Sequence, residues 1–240
     1  MKTTIPSARN SVSHSLSLIT SHYSLLTVLL FALSPVPKAF GVTPAPDGAY
    51  PGANTAEGQN ALQSLTSGIH NTALGYQTLF SDTTSHDNVA SGFQALFSNT
   101  TGNLNTATGS QALFKNTNGN NNTAAGFRAL YSNTTGLNNT ANGFEALAFN
   151  STGQDNMANG FKSLYNNTTG NFNTANGSQA LIRNTTGINN TANGFQALNQ
   201  NTTGYHNAAN GSAALFFNTS GHDNTANGFQ SALEQQYRLV

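Results

Sequence analysis

Apolar and polar positions recur along this chain on a fixed period of 17 residues. Gly58, Gly75 and Gly92 open a series that runs unbroken to Gly228. Four residues before each glycine stands an Asn, two before it an Ala, and four after it a Leu until Ala232 takes that place. The Asn column includes Asn71, Asn88, Asn105, Asn122, Asn139, Asn156, Asn173 and Asn190. Gly126, Gly143 and Gly160, with Leu130, Leu147 and Leu164, are representative of the glycine and leucine columns. Eleven copies without an insertion mean that each does the same geometric job, which is the signature of a solenoid.

One unit reads Asn139-Thr140-Ala141-Asn142-Gly143-Phe144-Glu145-Ala146-Leu147, followed by a variable pair and an Asn-[Ser/Thr]-Thr-Gly turn. Asn-Thr-Ala is expected to form a short strand, paired in parallel with its copies about 4.8 Å above and below. Identical residues then stack in ladders, in which each Asn amide bonds to the next and fixes the register. The glycine after the strand suits a corner with positive φ or a close backbone approach. Asn99-Thr100-Thr101-Gly102 and its copies make a second corner, where Asn is expected to start the turn and Gly to take the left-handed position. In Phe93-Gln94-Ala95-Leu96-Phe97 the apolar residues fall at i, i+3 and i+4, so strict alternation fails. One helical turn fits that spacing better than a second bent strand. The expected fold is a β-dominant repeat solenoid, a parallel β-solenoid or β-roll of eleven 17-residue turns, with a short helical turn in each.

Two aromatic stripes run along the repeats. One follows the corner glycine (Tyr76, Phe93, Phe127, Phe144, Phe161, Phe195, Phe229), and the other follows the leucine (Phe80, Phe97, Phe114, Tyr131, Tyr165, Phe216). A single Leu and two Ala positions per turn make a thin core, so both stripes are expected to fill it; the alternative is that one of them is a subunit interface.

The repeats occupy residues 54–233, after a Pro/Gly-rich linker at 42–53 and before a short tail at 234–240. All six prolines lie at or before Pro51, as stacked strands require. The apolar run Leu25 to Leu33, with Lys2 and Arg9 before it and Ala39-Phe40-Gly41 after it, reads as a signal peptide over residues 1–41. Nine residues are too few to cross a bilayer, which needs about 20. The mature chain is therefore expected to be secreted or held at the cell surface, without a transmembrane anchor.

Charge and chemistry narrow the function further. Only 7% of the residues are charged, and after Gly41 eight acidic residues face five basic ones, which offers nothing to nucleic acid. With no Cys there is neither a disulfide framework nor a thiolate site. His70 and His206 share one phase and His86 and His222 another, eight turns apart within each pair, so they are expected to be solvated loop residues rather than metal ligands. Asp87, Asp155 and Asp223 share a phase four turns apart, without the glycine pattern of a calcium-binding roll. Arg128, Glu145 and Lys162 stack in successive turns as an alternating charge column, expected to be exposed and worth a few tenths of a kcal/mol per pair. No nucleophile elbow or phosphate loop is present, so neither catalysis nor a cofactor is expected.

The Asn-Thr-Ala-x-Gly unit resembles the head repeats of YadA-like trimeric autotransporter adhesins, over residues 54–233. The repeat here is longer, and its Asn sits one place closer to the Gly. The resemblance implies a trimeric β-roll, hence a homotrimer, and binding to a host, matrix or glycan surface. Adhesion or a structural spacer role is the expected function. The alternative is ice binding by the stacked turn threonines Thr66, Thr83, Thr100, Thr117, Thr134, Thr168, Thr185, Thr202 and Thr219, a column interrupted by Ser151.

Overall fold

The computed structural model describes residues 51–233; the expected signal peptide, most of the linker and the tail lie outside that range. Eleven three-residue strands, β1 (Thr55–Glu57) to β11 (Thr225–Asn227), form one parallel sheet in strict sequence order. Every pairing is in register at 17 residues, as in Thr123↔Thr140, Ala124↔Ala141 and Ala125↔Asn142. The central Ala of each strand points inward and is buried, while the residues on either side of it face outward. The fold is thus a parallel β-solenoid with the expected turn length.

The second segment of each turn is not helical, and there is no helix among the described residues. Gln94 and Leu96 have φ of 55° and 51°, and the same two positions are positive in neighbouring turns. Residues of alternating handedness send N–H groups and carbonyls to other turns instead of along a helix. Leu96 N–H donates to Ala112 O of the next turn at 3.0 Å, and Leu79 N–H of the preceding turn donates to Ala95 O at 3.1 Å. This backbone brings the adjacent residues Ala95 and Leu96 both inward. Of the i, i+3, i+4 set that favoured a helical turn, Phe93, Leu96 and Phe97, only Leu96 is buried. The left-handed conformation costs a non-glycine residue about 1–2 kcal/mol. Inter-turn hydrogen bonds and a fully buried Leu side chain, itself worth about 1.5–3 kcal/mol, offset that cost.

The corner glycines have two reasons to be glycine. From Gly58 to Gly211 their φ values lie between 127° and 142°. A Cβ there would also come within 2.3–2.7 Å of the next glycine's carbonyl group. The turn glycines are different, because Gly102 and its copies do not adopt positive φ. Gly119 is required by space alone: a Cβ would meet Asn116 Oδ1 at 2.3 Å and Gly136 O at 2.6 Å. The left-handed position falls two residues later, at Leu104, Asn121, Asn138, Asp155, Phe172 and Asn189.

The interior is narrow and part polar. Ala and Leu columns fill its centre, flanked by two columns of fully buried Asn. In the column that precedes the strands, Asn139 Nδ2 donates to Asn122 Oδ1 at 3.1 Å and to Gly153 O at 2.8 Å. Asn139 Oδ1 in turn accepts from the backbone N–H and the side chain of Asn156, both at 3.1 Å. The second ladder starts at Asn99 and runs to Asn218; in it Asn133 Nδ2 donates to Asn116 Oδ1 at 2.9 Å and to Gly136 O at 3.1 Å. The turn asparagine therefore closes its own corner and binds the turn before it.

Candidate functional site

With the interior filled by ladders, function has to lie on the outer columns. On the strand face, Thr106, Thr123, Thr140, Thr174 and Thr191 stand in one column and the Asn residues before the corner glycine in the next. The outer asparagines form a ladder of their own. Asn142, Asn159, Asn176, Asn193 and Asn210 each donate to the residue 17 positions on, at 2.8–3.0 Å. The result is an outer surface of hydroxyls and amides, in which Val89, Met157 and Ala208 interrupt the threonines and the amide column begins at Asn142.

Neither aromatic stripe fills the core. Tyr76, Phe93, Phe127, Phe144, Phe161, Phe195 and Phe229 are exposed, and the second stripe is half-buried. The physical reason is the size of the interior: the Ala, Leu and Asn columns fill it and leave no room for rings. The rings stack on one another along the axis instead, as in Phe80, Phe97, Phe114 and Tyr131 at 5.0–5.2 Å between centroids. Phe127, Phe144 and Phe161 stack likewise at 5.1–5.5 Å.

Between the two stripes lies the column of Gln94, Gln111, Arg128, Glu145 and Lys162. The Arg128 guanidinium is 5.1 Å from the Phe127 ring and 5.2 Å from Tyr131, and Lys162 Nζ is 5.5 Å from Phe161 and 5.0 Å from Tyr165. Each cation bridges both stripes, so the two form one face. Lys162 reaches Glu145 at 3.4 Å, with side chains only 30% and 15% exposed. Arg128 Nε donates to Gln111 Oε1 at 2.8 Å. The trio is therefore more sheltered than a solvated charge column.

The four histidines among the described residues are exposed, as expected of solvated loop residues, but they fall into two pairs, each sharing one carboxylate, which their phases did not suggest. His70 and His86 come from adjacent turns and flank Asp87, with Nδ1 atoms 3.2 Å from Oδ1 and 2.8 Å from Oδ2. His206, His222 and Asp223 repeat the arrangement at 3.3 and 2.8 Å. Comparing residues of equal phase overlooked these contacts, because His70 stands one residue ahead of the phase of His86 and that offset brings both to one carboxylate. The hydrogen bond from the flanking histidine, His86 or His222, is the main reason why each Asp pKa is lowered; some desolvation opposes it, and the other histidine adds to it. No group of three His, Asp or Glu among the described residues could hold a metal ion. Asp155 accepts a hydrogen bond from Asn138 at 3.0 Å and has no histidine beside it.

The turn threonines are committed to the backbone. Thr100 Oγ1 donates to Thr117 O at 3.2 Å and Thr134 Oγ1 to Ser151 O at 3.0 Å. Ser151 fills the gap in the column with the same bond, to Thr168 O at 2.9 Å. Sequence reasoning missed the buried role of the turn asparagines and the left-handed position before the strand. The latter had a signal: that column holds Asn, Asp or His in eight of its ten copies from His70 to Asp223, the non-glycine residues that best tolerate positive φ.

No protein-family model matches the chain, and neither a curated protein nor a solved structure matches it. The class of protein is therefore defined by the fold: a repeat protein built as a parallel β-solenoid, with stacked Asn ladders.

Proposed function

We infer that the protein is a non-enzymatic, exported presenter of a repeating surface, acting in adhesion or as an extracellular spacer. The observation that carries this reading is the strand face, where a threonine column from Thr106 to Thr140 continues at Thr174 and Thr191 beside an amide ladder from Asn142 to Asn227, in fixed register. A rigid array with an axial repeat of about 4.8 Å suits a partner that is itself periodic, such as a matrix or surface polysaccharide. The ladder holds its amides in place, so binding there orders few side chains. The adhesin-like repeat motif and the apolar run at Leu25–Leu33 support the same reading.

The test is co-sedimentation of the full chain with insoluble polysaccharides and with bacterial or host cells. Replacing Thr106 and Thr123 together by Lys should abolish retention and leave the far-ultraviolet circular dichroism unchanged. Retention equal to that of the parent chain would remove the strand face from the account.

Ice binding through the turn column is disfavoured, since those hydroxyl protons are spent on carbonyls. The full chain should show no thermal hysteresis. Clear ice shaping would replace adhesion as the leading function.

A further inference from the structure

We propose that the aromatic face is the contact surface for a second copy of this chain, packed antiparallel about a two-fold axis between the turn of Glu145 and that of Lys162. The inference stands apart from the adhesion reading and rests on ring area and on the order of side chains along the face.

Area comes first. An aromatic side chain offers about 150–250 Å². Tyr76, Phe93, Phe127, Phe144, Phe161 and Phe195 are each 38–51% exposed. Together these six leave roughly 500 Å² of ring surface open, and the half-buried stripe beside them takes the strip beyond the roughly 300–600 Å² typical of a monomer's largest apolar patch. Two such faces pressed together would bury on the order of 1,400 Å², the size of a stable protein–protein interface. The rings cover one another's faces along the axis, so they present edges outward. Edges meeting the partner's rings suit aromatic packing, whereas a flat sugar needs open ring faces.

Order along the face then selects the orientation. In a parallel pair every level meets its own copy, so Arg128, Glu145 and Lys162 would each oppose a like charge, which is costly in a sheltered interface. In the antiparallel pair Glu145 faces the partner's Lys162 and Lys162 faces the partner's Glu145. With the Glu145–Lys162 contact already inside each chain, four charges of alternating sign close a ring at the axis. The same register sets large against small: Phe127 meets the partner's Ser178, and Tyr165 meets the partner's Ala148. It also covers the face from the turn of Tyr76 to that of Phe229, the most exposed ring of all. A two-fold contact of this kind is self-complementary and closed, and leaves no aromatic strip open to further copies.

The test uses the full chain, which contains no cysteine. Sedimentation should give the mass of a dimer. The double variant Phe144→Asp, Phe161→Asp should weaken the dimer at least tenfold without altering the circular dichroism. Orientation is read with single-cysteine variants Gln111→Cys and Gln196→Cys, which face each other across the antiparallel pair. Facing sheets lie about 10 Å apart, so a bismaleimide of that reach should cross-link a mixture of the two variants and neither variant alone. A monomeric mass at high concentration, or a dimer unchanged by the aspartates, would overturn the interface. Cross-linking of one variant with itself, or a dimer that the mixture fails to link, would overturn the antiparallel register.

Discussion

Replacing one inner-ladder asparagine should cost far more than replacing an outer one in the same turn. Asn139→Ala removes a side chain that donates to Gly153 O and accepts from the backbone N–H of Asn156. Asn122 Oδ1 keeps a partner in the Asn139 backbone N–H, and Asn156 Nδ2 keeps Gly170 O. Gly153 O keeps Asn150 Nδ2, so one buried group, the Asn156 N–H, is left without a partner. An unsatisfied buried group costs about 1–3 kcal/mol, so the loss should come to about 2 kcal/mol. Asn142→Ala removes an exposed bond to Asn159, one water readily replaces, so its cost should stay below about 0.5 kcal/mol. Urea denaturation of the two variants, followed by far-ultraviolet circular dichroism, measures the difference. Midpoints equivalent to less than about 0.5 kcal/mol apart would refute the buried-ladder account, because one orphaned group should cost at least about 1 kcal/mol.

Phe172 has φ of 58° and an exposed side chain, so Phe172→Gly should raise the melting temperature by the equivalent of about 1 kcal/mol; a lower one would contradict the left-handed assignment. Gly143→Ala should destabilise strongly, by more than about 3 kcal/mol, since its Cβ would lie 2.5 Å from Gly160 O at a φ of 138°; a thermal melt unchanged from the parent would contradict the close approach. Asp82 occupies the turn-asparagine position, fully buried with Oδ2 unpartnered, and burial raises its pKa although hydrogen bonds involving Ser85 and Thr83 act against this. The folded state then binds its proton more tightly, so its stabilisation is complete below the ordinary carboxylate value and lost as pH rises through the raised one. Asp82→Asn should therefore stabilise the protein more at about pH 7 than at about pH 4, and an equal effect at both would refute the linkage.

Much of the fold was legible because the ladders impose identity: only stacked, in-register turns require Asn, Ala and Gly at fixed places for eleven copies, and Leu for ten of them. Two things were hidden. The segment from Phe93 to Phe97 adopts alternating handedness, a backbone for which periodicity rules have no template, so outward Phe93 and Phe97 with inward Leu96 imitated one helical turn. The aromatic stripes were assigned to the core because apolar residues usually go inside. Pattern alone could not tell that interior columns of Ala, Leu and Asn leave no space for a ring. The two His-Asp-His contacts were missed because histidines were compared only with histidines of their own phase: His70 stacks one turn below Asp87, 17 residues on, and His86 is the chain neighbour of that carboxylate.

Every turn is built as the same unit, so stability should be a sum of turns and their interfaces. Paired deletions test it most directly. Removing Asn139 to Asp155 takes out 17 residues and joins Asn138 to Asn156, which keeps every ladder in phase. Removing the nine residues Asn139 to Leu147 from the same place throws the later Asn, Gly and Leu columns out of phase. Circular dichroism and urea denaturation should find the first variant folded and modestly less stable, and the second disrupted. Comparable damage in both, as expected of a globular fold with unique long-range contacts, would contradict the account.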